Sequence, residues 1–288
     1  MVDSEAPVKN SGRKLFYGLF VFPLVIAVGM AVLLCTVVLM TREVETPESL
    51  ITSIKTGAPS KRWQKAFELS NELNRDPAMI RSESIRKEVR HILTDRSEYD
   101  ARTRAYMAMA MARFEGEEPA AFLWEALRDE TEEEVQLYLL WALGQKQYAP
   151  ARELIATFLT SPQEELRKMA AYVLGSLGDP ASVPALEALL SDEARDVRWN
   201  AALSLARLGS EAGLGEILKM LDRSLLDREG VPENRAEEIM INAVKGLSLL
   251  RQADSAVILE ELSQSDKSLK VRQAALEVMA QTQKANPS

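Results

Sequence analysis

Apolar residues between residues 61 and 283 recur every three or four positions, in short segments separated by charged or turn-forming residues. That spacing is typical of amphipathic helices. The segments that begin at Val135, Leu166 and Val197 align with one another, and each begins 31 residues after the one before. Less regular copies begin at Lys61, Ala101, Ile239 and Val271.

A second family of apolar segments alternates with these copies, so each repeat is predicted to be a pair of antiparallel helices. At the clearest boundary, Gly178 is suited to end one helix, Asp179 to cap the next and Pro180 to occupy its first turn. One helix pair has two apolar sides and cannot bury both, whereas stacked copies can. The pattern therefore predicts an all-α fold, an α-solenoid of about six helical hairpins over residues 61–283, with a frayed tail at 284–288.

The step from Val197 to Ile239 is 42 residues long and contains the segment Arg223 to Arg235, in which Gly230 and Pro232 are helix breakers. We interpret this segment as a loop inserted between the two helices of one repeat. Such a loop either contributes to binding or is a tolerated surface insertion.

The N-terminal region has a different pattern: the 26 residues from Leu15 to Met40 include no charged residue. A bilayer-spanning helix needs about 20 apolar residues, and the apolar region of a signal peptide has about 7–15, so the length favours a membrane helix at 15–40. Residues 1–14 are then a short tail. Residues 41–60 are a linker, within which Pro47 to Lys55 has helical character.

The stretch from Leu166 to Leu186 reads Leu-Arg-x-x-Ala-Ala-x-x-Leu-Gly-x-Leu-Gly-Asp-Pro-x-x-Val-Pro-x-Leu. This motif resembles HEAT repeats, in particular the short bacterial type of phycobilisome-lyase-like HEAT proteins, and the resemblance extends over residues 60–283. It implies that the second helix of each pair lines a concave surface. It also allows a tetrapyrrole (bilin) lyase activity.

Counting from the first residue of each copy, positions 1, 5 and 9 are predicted to face the core, and positions 3 and 7 lie nearly opposite. Positions 3 and 7 are apolar or aromatic in most copies, which is unusual for a solvated helix face and favours a protein-binding groove. The alternative is that these residues pack between repeats. The candidate groove residues are Trp63, Phe67, Met107, Leu137, Trp141, Tyr172, Trp199 and Leu203.

Composition argues against most catalytic chemistry. The chain has a single His, His91, and a single Cys, Cys35, so it offers no Ser-His-Asp or Cys-His set and no His-based metal site. No Gly-rich phosphate loop is present, and 43 acidic against 35 basic residues disfavour nucleic acid. We therefore expect no cofactor, no metal and no small-molecule ligand. Repeated arginines near acidic residues are interpreted as ion-pair ladders between repeats: Arg167, Arg198 and Arg272, with Asp179, Asp192 and Asp266.

The sequence therefore predicts a membrane-anchored, non-catalytic adaptor that holds a protein of a membrane complex in its groove. The alternatives are a tetrapyrrole lyase and a structural spacer or assembly factor. Lys9, Arg13 and Lys14 precede the membrane segment, whereas Arg42 and Lys55 follow it among acidic residues. The positive-inside rule then places the N-terminus in the cytoplasm and the solenoid in the periplasm of a bacterium.

Overall fold

The structure is a computed structural model that describes residues 16–41, 46–73, 75, 79–250 and 253–285. The expected tail at 1–14, the basic residues Lys9, Arg13, Lys14 and Arg42, and residues 286–288 lie outside the described residues. The chain divides into two compact units, Met1–Thr46 and Pro47–Ser288.

The first unit contains one long helix, α1 (Phe22–Thr41), which follows a π-helical turn at Tyr17–Val21. The helical stretch Gly18–Val37 of this unit is long and apolar enough to cross a membrane, and none of it is buried within the protein. Pro23 lies two residues after the π-helical turn, inside a run of helix that begins before it. Such a local widening of the helix accommodates a residue without an N–H, and the helix continues past it.

In the part of the chain that the structure describes, the second unit consists of helices joined by turns and has no β-strand. Its α-helices form seven consecutive hairpins: α2/α3, α4/α5, α6/α7, α8/α9, α10/α11, α12/α14 and α15/α16, with the short α13 between α12 and α14. The bounds are α2 Pro47–Thr56, α3 Pro59–Glu72, α4 Glu83–Thr94, α5 Ala101–Met111, α6 Glu118–Asp129, α7 Glu133–Lys146, α8 Arg152–Thr157, α9 Glu164–Leu177, α10 Val183–Ala188, α11 Arg195–Arg207, α12 Leu214–Leu221, α13 Arg223–Arg228, α14 Glu233–Leu249, α15 Ala253–Ser265 and α16 Leu269–Ala285.

The second helices of the hairpins stack on one another in chain order, from α3 to α16. Positions 1, 5 and 9 of the repeat form the core, as predicted: Val135, Leu139 and Leu143 of α7 are fully buried. The equivalent Val197 and Ala201 of α11 are also fully buried. The α-solenoid of HEAT-like hairpins, preceded by one apolar helix, is confirmed.

The best-defined repeats share one turn geometry. Gln147, Gly178 and Gly209 are 31 residues apart and have positive φ angles of 48°, 72° and 77°. Each ends or follows a second helix of the stack, where a left-handed residue terminates the helix. The Asp179 side chain then accepts from the N–H of Ala181, as expected for a cap, and Pro180 opens a 3₁₀ turn that leads into α10.

The structure corrects the expected boundaries at three places. Within the expected linker 41–60, α2 is packed through buried Leu50, Ile51 and Ile54, so the second unit begins at Pro47. The insertion 223–235 contains the helix α13 as well as loop. At the C-terminus, α16 continues to Ala285, inside the segment expected to fray.

Candidate protein-binding face

The outer surface of the stacked helices α3, α5, α7, α9 and α11, called here the second-helix face, carries six of the eight candidate groove residues. Phe67 is the most open of them, with 43% of its surface exposed. The other five are partly buried: Trp63, Leu137, Trp141, Tyr172 and Leu203. That these six residues bind a partner protein remains a prediction.

Met107 and Trp199 are not on this surface, because they are only 0% and 4% exposed. On α5 the large apolar residues that reach the surface are Tyr106 and Met109, beside the exposed Arg102, so this helix is rotated relative to the pattern of the other copies and Met107 turns inward. Trp199 packs into the core of the C-terminal hairpins, beneath the guanidinium of Arg195 at 4.6 Å from its ring centroid. For these two residues, packing between repeats is the correct interpretation.

An aromatic cluster lies at the N-terminal end of the second-helix face. The ring of Tyr106 stacks on Trp63 at 6.4 Å between centroids and meets the edges of Phe67 at 5.3 Å and Tyr138 at 5.6 Å. Burial raises the pKa of Tyr138, and the neighbouring Tyr106 raises it further, so the phenol stays neutral at neutral pH. The cluster therefore presents uncharged rings from three consecutive second helices.

The sequence analysis did not identify Tyr106 and Tyr138 as members of this cluster. They occupy positions 6 and 4 of their copies rather than positions 3 and 7. The sequence signal that could have revealed the cluster is the presence of an aromatic residue on each of three successive second helices, whatever its position in the repeat.

Arginines cover several rings of this face. Arg102 lies over Trp63 with its guanidinium carbon 4.6 Å from the ring centroid, and it is also paired with Glu134 at 3.7 Å. Arg113 lies over Trp141 at 5.7 Å, and Arg207 lies over Tyr172 at 5.1 Å. Such contacts combine an apolar ring with a cation, a combination that is enriched in protein interfaces.

The repeated arginines that align with acidic residues have structural contacts, as predicted for two of the three. Arg167 forms an ion pair with Asp192, and Arg198 donates to the Asp192 carbonyl at 2.8 Å. Asp266 also forms a structural ion pair, but its partner is Arg223 of the insertion rather than the repeated Arg272.

Possible metal ligands do not cluster in the part of the chain that the structure describes. Among the described residues, no group of three or more His, Cys, Asp and Glu side chains could hold a metal ion. The only His in the sequence, His91, is exposed on α4 with its ring edge toward Tyr99. Cys35 lies exposed on the apolar helix α1, in the other unit.

A separate cleft of about 550 Å³ lies between α4 and α6, on the first helices of the hairpins. Its three arginines are already paired: Arg90 with Glu118 at 3.3 Å, Arg96 with Glu130 at 3.8 Å, and Arg128 with Asp129 at 2.9 Å. This cleft therefore offers no free positive group to a ligand.

Comparison with known proteins agrees with the fold. Residues 121–206 and 151–229 match the family model of HEAT repeats. The structure of the complex of CpcE and CpcF of phycocyanin lyase from Nostoc aligns with a TM-score of 0.53 at 15% identity, covering 84% of this chain and 96% of that one. At this identity the likeness shows the fold alone.

Curated relatives are similar over part of the repeat region. Deoxyhypusine hydroxylase of Aspergillus fumigatus is 41% identical over 86 residues, which are 29% of this chain and 24% of that protein. The same enzyme of Coccidioides immitis is 35% identical over 114 residues, which are 39% and 32% of the two chains. This chain thus spans at most about a third of the length of these relatives.

These relatives correct the functional expectation. They are enzymes, so the expectation of a non-catalytic adaptor, and with it the expectation that the chain is not an enzyme, is wrong. HEAT-like hairpins of this sequence type occur in catalytic proteins. The matched relatives are also fungal, which does not support a bacterial origin.

Proposed function

We propose that this chain is a membrane-attached HEAT-repeat protein that recognises a polypeptide on its second-helix face. The observation that carries the proposal is the aromatic cluster of Trp63, Phe67, Tyr106 and Tyr138. Aromatic rings clustered at a surface, with arginines beside them, are the residue types that dominate binding energy at protein interfaces.

Membrane attachment is the second part of the proposal. The support is the length and apolar character of Gly18–Val37, none of which is buried within the protein. Lys9, Arg13 and Lys14 ahead of this segment support, by the positive-inside rule, a solenoid on the side away from the cytoplasm. Attachment would hold the second-helix face close to other proteins of the same membrane and so raise their effective concentration. Even a partner with weak affinity would then be bound most of the time.

Catalysis on the bound polypeptide is a second candidate, favoured by the 35–43% identity to deoxyhypusine hydroxylases. Hydroxylation places oxygen in a C–H bond, and non-haem iron oxygenases commonly hold their metal with two His and one carboxylate. This chain has one His, so its own residues do not supply that ligand set. No reaction step is therefore assigned to particular residues.

Binding on the second-helix face is tested by photocrosslinking in native membranes. A photoreactive residue replaces Phe67 or, in a second variant, Tyr172. The matched control is Leu218 on α12, which is 40% exposed against 43% for Phe67 but belongs to a first helix. We expect both face positions to crosslink to the same protein and Leu218 to give no such product. Equal crosslinking from all three positions, or none from the two face positions, would contradict the proposal.

Membrane attachment is tested by alkaline extraction of cell membranes. We expect the native chain to stay in the membrane pellet. Replacing Val28 and Val32 together by Arg should release it, because each charge at the centre of a spanning helix costs about 2.5–3.5 kcal/mol. Replacing the same two residues by Leu is the control and should leave the chain in the pellet. Release of the native chain would show that α1 does not anchor it.

A further inference from the structure

Two arginines on the second-helix face lack an acceptor, although the chain carries a net charge of −8. Arg113 follows the end of α5, and its Nε is buried with no hydrogen-bond partner. Arg207 ends α11 and is exposed. Neither forms an ion pair with any side chain in the described part of the protein, whereas Arg102, on the same face, is paired with Glu134.

Each of these arginines lies over the ring of an adjacent second helix. Arg113 covers Trp141 of α7, and Arg207 covers Tyr172 of α9. Since α5, α7, α9 and α11 are consecutive in the stack, the four side chains form a row of cation, ring, ring and cation. We call Arg113, Trp141, Tyr172 and Arg207 the cation–ring row.

This arrangement suits carboxylates. A guanidinium that rests on an aromatic ring is held in place, and its N–H groups point outward in the plane, where they match the two oxygens of a carboxylate. The rings between the two arginines would take apolar side chains.

We propose that the cation–ring row binds an extended acidic segment of a partner protein, with one carboxylate on Arg113 and another on Arg207. The two guanidinium carbons lie 5.7 and 5.1 Å from ring centroids on α7 and α9, and these helices are one step apart, about 8–10 Å at the usual helix spacing. The two guanidinium groups are therefore up to about 20 Å apart, and since an extended chain advances about 3.3 Å per residue, the two acidic positions would be roughly six residues apart. This inference rests on the proposed polypeptide binding and specifies the chemistry of the partner.

The charges elsewhere on the face favour a short acidic segment over a polyanion. Glu134 of α7, Glu165 of α9 and Asp196 of α11 lie at the opposite, N-terminal ends of the helices that carry the row. A nucleic acid crossing the full width of the face would find cations there that already pair with these carboxylates, such as Arg102 with Glu134 and Lys168 with Glu165. A segment that lies along the row alone avoids them.

The test is a fluorescence-anisotropy titration of the full-length chain in detergent. The probe is a labelled peptide with two Glu-Glu pairs about six residues apart, separated by Leu- and Tyr-containing sequence, and the control peptide has Gln at every Glu. We expect the Gln peptide to bind about tenfold more weakly or worse, because two charge-assisted contacts are lost. Added salt should weaken the Glu peptide selectively.

Variants of the chain locate the contact. Arg113→Gln and Arg207→Gln should each weaken binding of the Glu peptide by about fivefold or more. Arg113→Lys keeps the positive charge but not the planar guanidinium, so its affinity for the Glu peptide should lie between those of the native chain and Arg113→Gln. The matched control is Arg228→Gln on α13, an exposed arginine away from the face that also lacks an ion-pair partner among the described residues. It should bind as the native chain does, and circular dichroism verifies that every variant is helical.

Each adverse outcome overturns the acidic-segment proposal. One such outcome is equal affinity for the Glu and Gln peptides. Another is an affinity for the Glu peptide that neither Arg113→Gln nor Arg207→Gln changes. Phosphatidylserine vesicles that bind in an Arg113- and Arg207-dependent way, with no peptide bound, would make the row a lipid-headgroup site instead. If neither peptide binds but crosslinking from Phe67 and Tyr172 succeeds, this inference fails alone; if both fail, polypeptide binding on this face fails as well.

Discussion

Arg167 of α9 holds Asp192 in a two-point ion pair, in which Nε and Nη2 donate to the two carboxylate oxygens at 2.8 and 2.9 Å. The two side chains are only 9% and 8% exposed. Arg167 also donates to the carbonyls of Ser161 and Pro162, and Asp192 accepts from the N–H of Ala194. The pair therefore fixes the turns that precede α9 and α11.

Removing one partner of this ion pair should lower the stability of the fold. Asp192→Ala is expected to lower the free energy of unfolding by about 3 kcal/mol, because it leaves the Arg167 charge buried without its partner. The control is Glu165→Ala, which removes an exposed carboxylate from its surface pair with Lys168 and should cost less than about 1 kcal/mol. Urea denaturation measures both, and equal losses would contradict a special contribution of the buried pair.

The same pair predicts a pH dependence. Burial raises the pKa of Asp192, but the hydrogen bonds from Arg167 and from the Ala194 N–H outweigh it, so the net pKa is below its ordinary value. A carboxyl whose pKa is lower in the folded state stabilises the fold above the unfolded pKa of about 4 and loses this contribution as the pH falls through the folded pKa. The stability difference between the native chain and Asp192→Asn should therefore shrink as the pH falls from about 5 through the lowered pKa of Asp192. A constant difference would contradict the linkage.

Gly175 of α9 lies so close to Ser204 of α11 that a Cβ at Gly175 would overlap the Ser204 side chain. Gly175→Ala should therefore lower stability by about 1–3 kcal/mol, although alanine favours a helix more than glycine does. Gly215→Ala in α12 is the matched control: its new Cβ would meet no atom within 4 Å, so its stability should stay equal or rise. Adding Ser204→Gly to Gly175→Ala should restore part of the loss, and strict additivity in this double-mutant cycle would show that the two residues do not clash.

Gln147 is the one residue other than glycine with a positive φ among the described residues, at 48°. Because a side chain costs about 1 kcal/mol in that conformation, Gln147→Gly should stabilise the fold by up to about that amount. The equivalent change in the other direction, Gly178→Ala, should destabilise it by a similar amount. Thermal unfolding of both variants measures the effect. A less stable Gln147→Gly variant would mean that the glutamine side chain contributes more than its backbone strain costs.

Arg223 connects the insertion to the last hairpin. Its Nε and Nη2 donate to Asp266 at 2.9 and 2.7 Å, and its Nη1 donates to Glu233 at 2.8 Å. Arg223→Ala should speed amide hydrogen exchange in α15 and α16 and leave α5 to α9 unchanged, because each repeat contacts mainly its neighbours. Arg235→Ala, which removes an exposed arginine of the same region, is the control. Uniformly faster exchange along the solenoid would indicate a global rather than a local effect.

The hairpins were predictable from the sequence where the repeat is regular. From Val135 to Leu208 the same small, apolar and turn-forming residues return every 31 positions, since each repeat packs against a copy of itself. In the first hairpin, the sequence indicated α3 and the helical character of Pro47 to Lys55, but it assigned the latter to a linker because α2 has no aligned copy.

The composition of the second-helix face was harder to predict, because it depends on the rotation of each helix about its axis. One residue of offset turns a side chain by 100°, enough to exchange Met107 for Tyr106 at the surface. Partner choice in ion pairs is similarly non-local. Asp266 pairs with Arg223, 43 residues away, rather than with the nearby Arg272.

The left-handed turn residues Gln147, Gly178 and Gly209 mark equivalent points of the chain, 31 residues apart. Between them, the 3₁₀ turns and short helices at Ala149–Thr160 and Pro180–Ser191 have the same layout. A gene encoding such a protein can gain or lose a block of 31 codons by recombination between the copies, and the reading frame rejoins at the same place in the turn. The length of this solenoid, and with it the reach of its second-helix face, is therefore open to change in whole hairpins during evolution.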